Sequence, residues 1–130
     1  PCSLLHALGS VVAADDEIWV AAGVYKPTTS AIDRDATIPL AAGVAVYGGF
    51  AGTETARAQR DPQANPTIFS GDIAGDDSQS PVVTDAFTVI GLGNNSYHVV
   101  SYYHPVAIPG LAPPTLDGVT VTGGYSPELW

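Results

Sequence analysis

Three carboxylates crowd one short stretch of this chain. Asp72, Asp76 and Asp77 lie within Gly71-Asp72-Ile73-Ala74-Gly75-Asp76-Asp77, on a loop that two glycines leave supple. Carboxylate oxygens are hard ligands, and Ca²⁺ gathers about six to eight such donors in loose geometry. Asp85 offers a further oxygen. The spacing is not that of an EF-hand loop, and the bidentate glutamate of that loop is missing. A merely solvated acidic loop has the same composition. Calcium at Asp72, Asp76 and Asp77 is therefore an expectation that depends on the three side chains converging.

Other chemistries find less support. Glycoside hydrolysis needs two carboxyls on a fixed backbone, about 5 Å or about 6.5–9.5 Å apart. Asp72, Asp76, Asp77 and Asp117 are the available acids, and their spacing does not make them meet. Proton abstraction by a base would have to use Lys26, Arg34, Arg57 or Arg60, none of which falls within a strand-like stretch. No Gly-x-Ser-x-Gly elbow is present, and His6, His98 and His104 show no paired spacing for a triad or a metal. The reading is non-catalytic. Aromatic side chains are more suggestive. Trp19, Tyr25, Tyr47, Phe50, Phe69, Tyr97, Tyr102, Tyr103 and Tyr125 fall on or beside strand-like stretches. Trp19, Phe50 and Phe69 are expected to pack. Tyr102 and Tyr103 adjoin a proline-bearing loop and are expected to be exposed. Sugars stack on such rings. Tyr97, Tyr102, Tyr103 and His104 are thus the candidate glycan contacts.

Composition narrows the partners. Four basic residues face thirteen acids among 130 residues, for a net charge of -9. Such a chain cannot neutralise a run of phosphates, which argues against nucleic acid. It would also be repelled by an acidic membrane surface, and no apolar run approaches the ~18 residues of a membrane span. A polyuronate would be repelled unless calcium bridged it, so a neutral polysaccharide or surface glycan is the expected partner. The one cysteine, Cys2, has no internal partner. The chain starts at Pro1 and has no methionine, which reads as a processed product or a piece of a longer protein. Its acidic, lysine-poor composition is of the kind seen in secreted or cell-surface bacterial proteins.

The elements that would position these residues are short. Fourteen glycines and eleven prolines argue for many turns. Residues 3–14 space Leu4, Leu5, Leu8, Val11 and Val12 as one amphipathic helix, weakened by Gly9. Strand-like runs follow at EIWVAAGVY, at ATIPLAAGVAVYGGF with a corner at Gly43, and at PTIFSGDI. Others are VVTDAFTVIGL, SYHVVSYYH and TLDGVTVTGGY, with a turn at Gly93-Asn94-Asn95. The best of them recur with glycine-bearing ends at solenoid-like intervals of about 20–30 residues. Hairpin turns are scarce, and long polar excursions separate the runs. The expected fold is all-β: a single right-handed parallel β-helix of about five short rungs over residues 1–130, with a capping segment at 1–14. An uncovered last rung, ending in Leu129 and Trp130, would invite end-to-end self-association.

HALGSVVAADDEIWVAAGVYKPT resembles the opening of right-handed β-helix proteins of the pectin-lyase-like superfamily, where a capping helix leads through an acidic turn into the first strand. ATIPLAAGVAVYGGFAGTE, NPTIFSGDIAGDD, NSYHVV and TLDGVTVTGG resemble successive rungs of large secreted bacterial repeat proteins and adhesins. The resemblance covers residues 4 to 124 or so and implies a fold more than an activity, since the superfamily includes lyases, hydrolases, adhesins and binding modules. Catalytic members are typically longer. A glycan-binding or adhesive module is the expected role. A fragment of a polysaccharide lyase or glycoside hydrolase, and a structural spacer, are the alternatives.

Overall fold

In the computed structural model, which describes residues 3–10, 13–103, 110 and 112–127, helix α1 runs Leu4–Ser10. Ser3 opens it: its Oγ accepts from His6 N at 3.3 Å and its carbonyl from Ala7 N at 3.0 Å. Leu4 and Leu8, one turn apart, are buried, while Leu5 is exposed. The helix is shorter than the 3–14 expected, and Val11 and Val12 lie outside the described residues. Asp15 takes φ +75° and Asp16 Oδ2 accepts Ala13 N at 2.7 Å, forming the acidic turn before the first strand. Among the described residues no helix is long and apolar enough to cross a membrane.

Strands follow as β1 (Glu17–Ala21), β2 (Gly23–Tyr25), β3 (Ile38–Pro39), β4 (Ala45–Phe50), β5 (Thr67–Ser70), β6 (Val100–Ser101), β7 (Thr115–Asp117) and β8 (Val119–Thr122). The sheets are ordered β1-β4-β7, β2-β5-β8 and β3-β6, so each strand ladders with the one three places along the chain. β1 and β4 are parallel, with Glu17 opposite Ala45 and Trp19 opposite Tyr47, after which the register slips and Ala21 meets Phe50. β4 and β7 are parallel, with Ala45 opposite Thr115 and Tyr47 opposite Asp117. The all-β expectation holds at this level: short strands in parallel sheets, with little helix.

The finer reading of the strands changes. EIWVAAGVY and TLDGVTVTGGY are each two strands, broken at Ala22 and at Gly118 (φ +70°), and the halves enter different sheets. The five segments taken as successive rungs therefore fall in three sheets, none more than three strands deep. Residues 82–92 are not a strand. Phe87 is fully exposed and Ile90 is 75% exposed. Side chains hold this segment: Gln79 Oε1 accepts Thr84 N and Asp85 N, and Asp85 Oδ1 accepts Phe87 N. SYHVVSYYH contributes only Val100–Ser101 as strand. Leu129 and Trp130, on which the self-association expectation rests, lie outside the described residues.

The chain forms two compact units. One comprises the chain up to Gly23, Pro39–Thr67 and Ser101–Thr120; the other comprises Val24–Ile38, Ile68–Val100 and the chain from Val121 onward. The first unit buries Leu4, Leu8, Val20, Val44, Val46 and Phe50, and Trp19 stacks on Phe50 with ring centroids 4.8 Å apart. The second buries Ile38, Ile68, Phe69, Ile73 and Val99, with Tyr25 edge-on to Phe69.

Within the first unit, backbone passes so close to Gly48 that a Cβ there would stand 2.4 Å from Gly118 O and 2.8 Å from Thr67 Cβ. Gly9 in α1 has open space around it. We expect Gly48→Ala to lower stability by about 1–3 kcal/mol through overpacking. Gly9→Ala should raise it by about 0.5–1 kcal/mol through helix propensity. Urea unfolding of the two variants checks both signs.

Candidate functional site

All four residues of β5 are buried, which fixes where the acidic loop begins. The loop then folds on itself. Asp72 N donates to Ser70 Oγ at 3.2 Å, and Asp72 Oδ1 accepts Gly75 N at 2.6 Å and Asp76 N at 3.1 Å. Ile73 is buried beside it and anchors the turn. This folding brings the three expected residues together: one carboxylate oxygen from each of Asp72, Asp76 and Asp77 lies within 4.8 Å of the others. Asp72 is 6% exposed and Asp77 8%, whereas Asp76 is exposed. The cluster could hold a metal ion.

A second segment closes on the loop from eighteen residues away. Asn94 Nδ2 donates to Asp76 Oδ1 at 3.2 Å and Oδ2 at 3.0 Å. The fully buried Asn95 donates through Nδ2 to Asp77 Oδ2 and to Gly123 O, both at 2.8 Å. Gly91 allows the approach: at φ +112°, a Cβ there would stand 2.8 Å from Asp77 Oδ1 and from Asp76 O. Three buried oxygens remain without a donor: Asp77 Oδ1, Asn94 Oδ1 and Asn95 Oδ1. A buried acceptor left so costs roughly 1–3 kcal/mol. The three share one chemistry, lone pairs with nothing positive to meet.

Burial pushes the Asp77 carboxyl up from its ordinary range, and the Asp72 and Asp76 charges add to the rise; the Asn95 amide and the Lys26 ammonium oppose it. Lys26 Nζ lies 3.3 Å from where a Cβ of Gly75 would be, yet no ion pair among the described residues joins it to the cluster. Asp85 is not part of the cluster. Its carboxylate accepts Phe87 N and Thr88 Oγ1, both at 2.9 Å, and these bonds, the Phe87 N–H foremost, hold its pKa down. Asp117 belongs to the first unit, where Arg60 pairs with it at 2.7 Å.

The aromatic candidates are divided. Tyr97 is in the second unit, half-buried, with the Arg34 guanidinium 4.1 Å over its ring. Tyr102 and Tyr103 are in the first unit, at 37% and 82% exposure. His104 lies outside the described residues. Sequence reasoning missed a groove in the second unit, of about 560 Å³, whose walls include Val83, Tyr97, His98, Val121, Gly123 and Tyr125. A smaller pocket of about 260 Å³ adds Asp35 and Ser126 to the same Tyr97 and His98. Arg34 reads from the sequence only as a possible base, not as a structural tie. It donates through Nε to Asn95 O at 2.7 Å and through Nη2 to Tyr125 O at 3.0 Å, so one cation ties together two groove segments. Only an arginine lying outside every strand-like run signalled it. Asn94-Asn95 was visible solely as a turn.

No protein-family model matches the chain, and no curated protein or solved structure matches it. Function therefore rests on these residues.

Two outcomes follow. Because burial raises Asp77, the folded protein holds that proton more tightly than the unfolded chain does. This contribution is complete below the ordinary carboxyl value, about 4, and is lost as pH rises through the folded one. In EDTA, Asp77→Asn should melt above wild type at neutral pH and lose that advantage below about pH 4. Calorimetric melts across pH check the sign. Arg34→Lys keeps the charge but not the fork, and should cost about 1–3 kcal/mol in urea unfolding, since bonds to charged groups are the stronger ones.

Proposed function

We propose that this chain is a short right-handed parallel β-helix module of the pectin-lyase-like type, from a secreted or cell-surface protein, which binds a neutral glycan without catalysis. The groove carrying Tyr97, His98 and Tyr125 is the observation on which the function rests. Its volume lies within the range of ligand sites, about 300–1,000 Å³. Tyr97 is held by Arg34, so little ordering is left for a ligand to impose. His98, Asp35 and Ser126 supply polar partners for hydroxyls beside an aromatic face. Tyr102, Tyr103 and His104 are further candidate contacts, Tyr103 being exposed. The fold reading is supported by the three-strand period of the ladders, which is what one strand per face per turn would give. Crossovers between parallel strands are right-handed in nearly all proteins.

The ion at Asp72, Asp76 and Asp77 is read as Ca²⁺. All three side chains offer oxygen ligands, and one of those oxygens, Asp77 Oδ1, has no hydrogen-bond donor. Neither nitrogen nor sulfur ligands are present to favour zinc.

Affinity electrophoresis on xylan, glucan, mannan and pectin, with and without calcium, tests the function. Retardation is expected on a neutral polymer, and Tyr97→Ala should weaken it by about 1–2 kcal/mol, typical of aromatic contacts. No retardation on any neutral polymer would favour the spacer, and release of unsaturated or reducing ends would mark a piece of an enzyme.

A further inference from the structure

Trp19 packs, as its sequence setting leads one to expect, but through one face only. Its ring lies on the buried Phe50 with centroids 4.8 Å apart and planes 8° apart. Trp19 itself is 39% exposed, so the face turned away from Phe50 meets water. The indole is also held at its edge, where Nε1 donates to Glu17 Oε2 at 3.0 Å. Glu17 pairs with Arg57, whose Nη1 donates to the Tyr47 hydroxyl at 3.1 Å as well. The strand register builds this assembly. Trp19 stands opposite Tyr47 and Tyr47 opposite Asp117, one row across β1, β4 and β7 at the ~4.8 Å strand spacing. The neighbouring Val20 and Val46 are buried, so the alternating row faces outward. Asp117 holds Arg60 at 2.7 Å, and the Arg57 and Arg60 guanidiniums lie 4.7 and 5.1 Å from the Tyr47 ring centre. All of these residues belong to the first unit.

We propose that the open face of Trp19, with Glu17 and Arg57 at its edge, is a second contact for a sugar ring of a neutral glycan. It shares no residue with the groove and rests on the groove reading only for the class of ligand. A pyranose has an apolar C–H face and a rim of hydroxyls. The site offers the complement, a flat ring with a carboxylate and a guanidinium beside it. A hydroxyl both donates and accepts, so it can give to Glu17 and take from Arg57, whose side chains are both partly exposed. Charge selects a neutral ligand. Glu17 and Asp117 balance Arg57 and Arg60, so this patch carries no net charge in a chain of -9. An anionic sugar would have to displace a carboxylate to reach a guanidinium. An acyl chain or apolar peptide would cover the ion pairs without hydrogen-bonding them, which costs free energy. Seated on Phe50 and tied to Glu17, the indole has little freedom left to lose when its other face is covered.

The test uses the whole chain carrying Trp130→Phe, which leaves Trp19 as its one indole. Short oligosaccharides of xylan, glucan, mannan and galacturonan are titrated while Trp19 emission is followed, and affinity electrophoresis on the parent polymers is run beside. A saturable shift of Trp19 emission is expected with a neutral oligosaccharide and none with the galacturonan. Tyr97→Ala should leave that shift in place. Trp19→Ala should weaken retardation about three- to tenfold, the scale of an aromatic contact. Arg57→Ala, at a partly exposed position, should weaken the emission titration about threefold, and it decides the matter if Trp19→Ala does not fold. Unshifted Trp19 emission, with retardation that Tyr97→Ala removes, overturns the second contact and leaves the groove. A shift that persists in Tyr97→Ala, with retardation that this variant does not change, supports the second contact and overturns the groove. A shift with galacturonan and none with the neutral sugars overturns the proposal. Neither shift nor retardation with any neutral sugar overturns both.

Discussion

Strands of two to six residues cannot satisfy their own backbone, and in this protein each is completed by the strand three places away along the chain. That one constraint sets the rest. A parallel partner must be reached by a long connection rather than a hairpin, so the polar excursions are obligatory. Chain must pass close to chain, so Gly48 lies against Gly118 O where no side chain fits. Where an excursion returns, it can bring distant residues against a loop, as Gly91–Asn95 does against Asp76 and Asp77.

The acidic cluster lies on an excursion rather than in a strand. β5 is wholly buried and offers no exposed group. The loop directly after it sets Asp72 by backbone donors and leaves the remaining oxygens to find partners. Asn94 and Asn95 give their amide nitrogens to Asp76 and Asp77, but each nitrogen donated leaves an amide oxygen behind, so adding asparagines moves the deficit of positive partners without removing it.

What the sequence made legible follows from range. Asp72, Asp76 and Asp77 are six residues end to end, and a glycine-flexed loop of that length brings them together almost unaided. The corner at Gly43 was readable as a break because positive φ favours glycine, whereas Gly118, also at positive φ, reads as the interior of one strand. Sheet membership was not readable. EIWVAAGVY alternates like a single strand, and nothing in its composition says that the chain bends after Ala21 to put β2 in another sheet. VVTDAFTVIGL has the residue types of a strand, but Gln79 and Asp85 hold its backbone locally and leave Phe87 in water. Arg34 and Asn95 act over sixty-one residues of separation, and one sequence contains no signal for that.

The charge distribution leaves the acidic loop short of positive partners. Of the four basic side chains, Arg57 pairs with Glu17 and lies 4.7 Å over the Tyr47 ring, and Arg60 pairs with Asp117 over the same ring. Arg34 is taken up by Asn95 O, Tyr125 O and Tyr97. Lys26 remains, and one ammonium cannot offset three carboxylates. Two remedies are open to the loop. Protonation neutralises one carboxylate and gives one unpaired oxygen a donor, at the acidic pH where Asp77 holds its proton. A divalent cation supplies two charges and several coordination positions at once, and it does so at neutral pH, where the carboxylates are ionised and the repulsion is greatest. Two of the three carboxylates are buried, and no cation among the described residues is ion-paired to them, so a divalent cation would offset the repulsion more fully than a single proton.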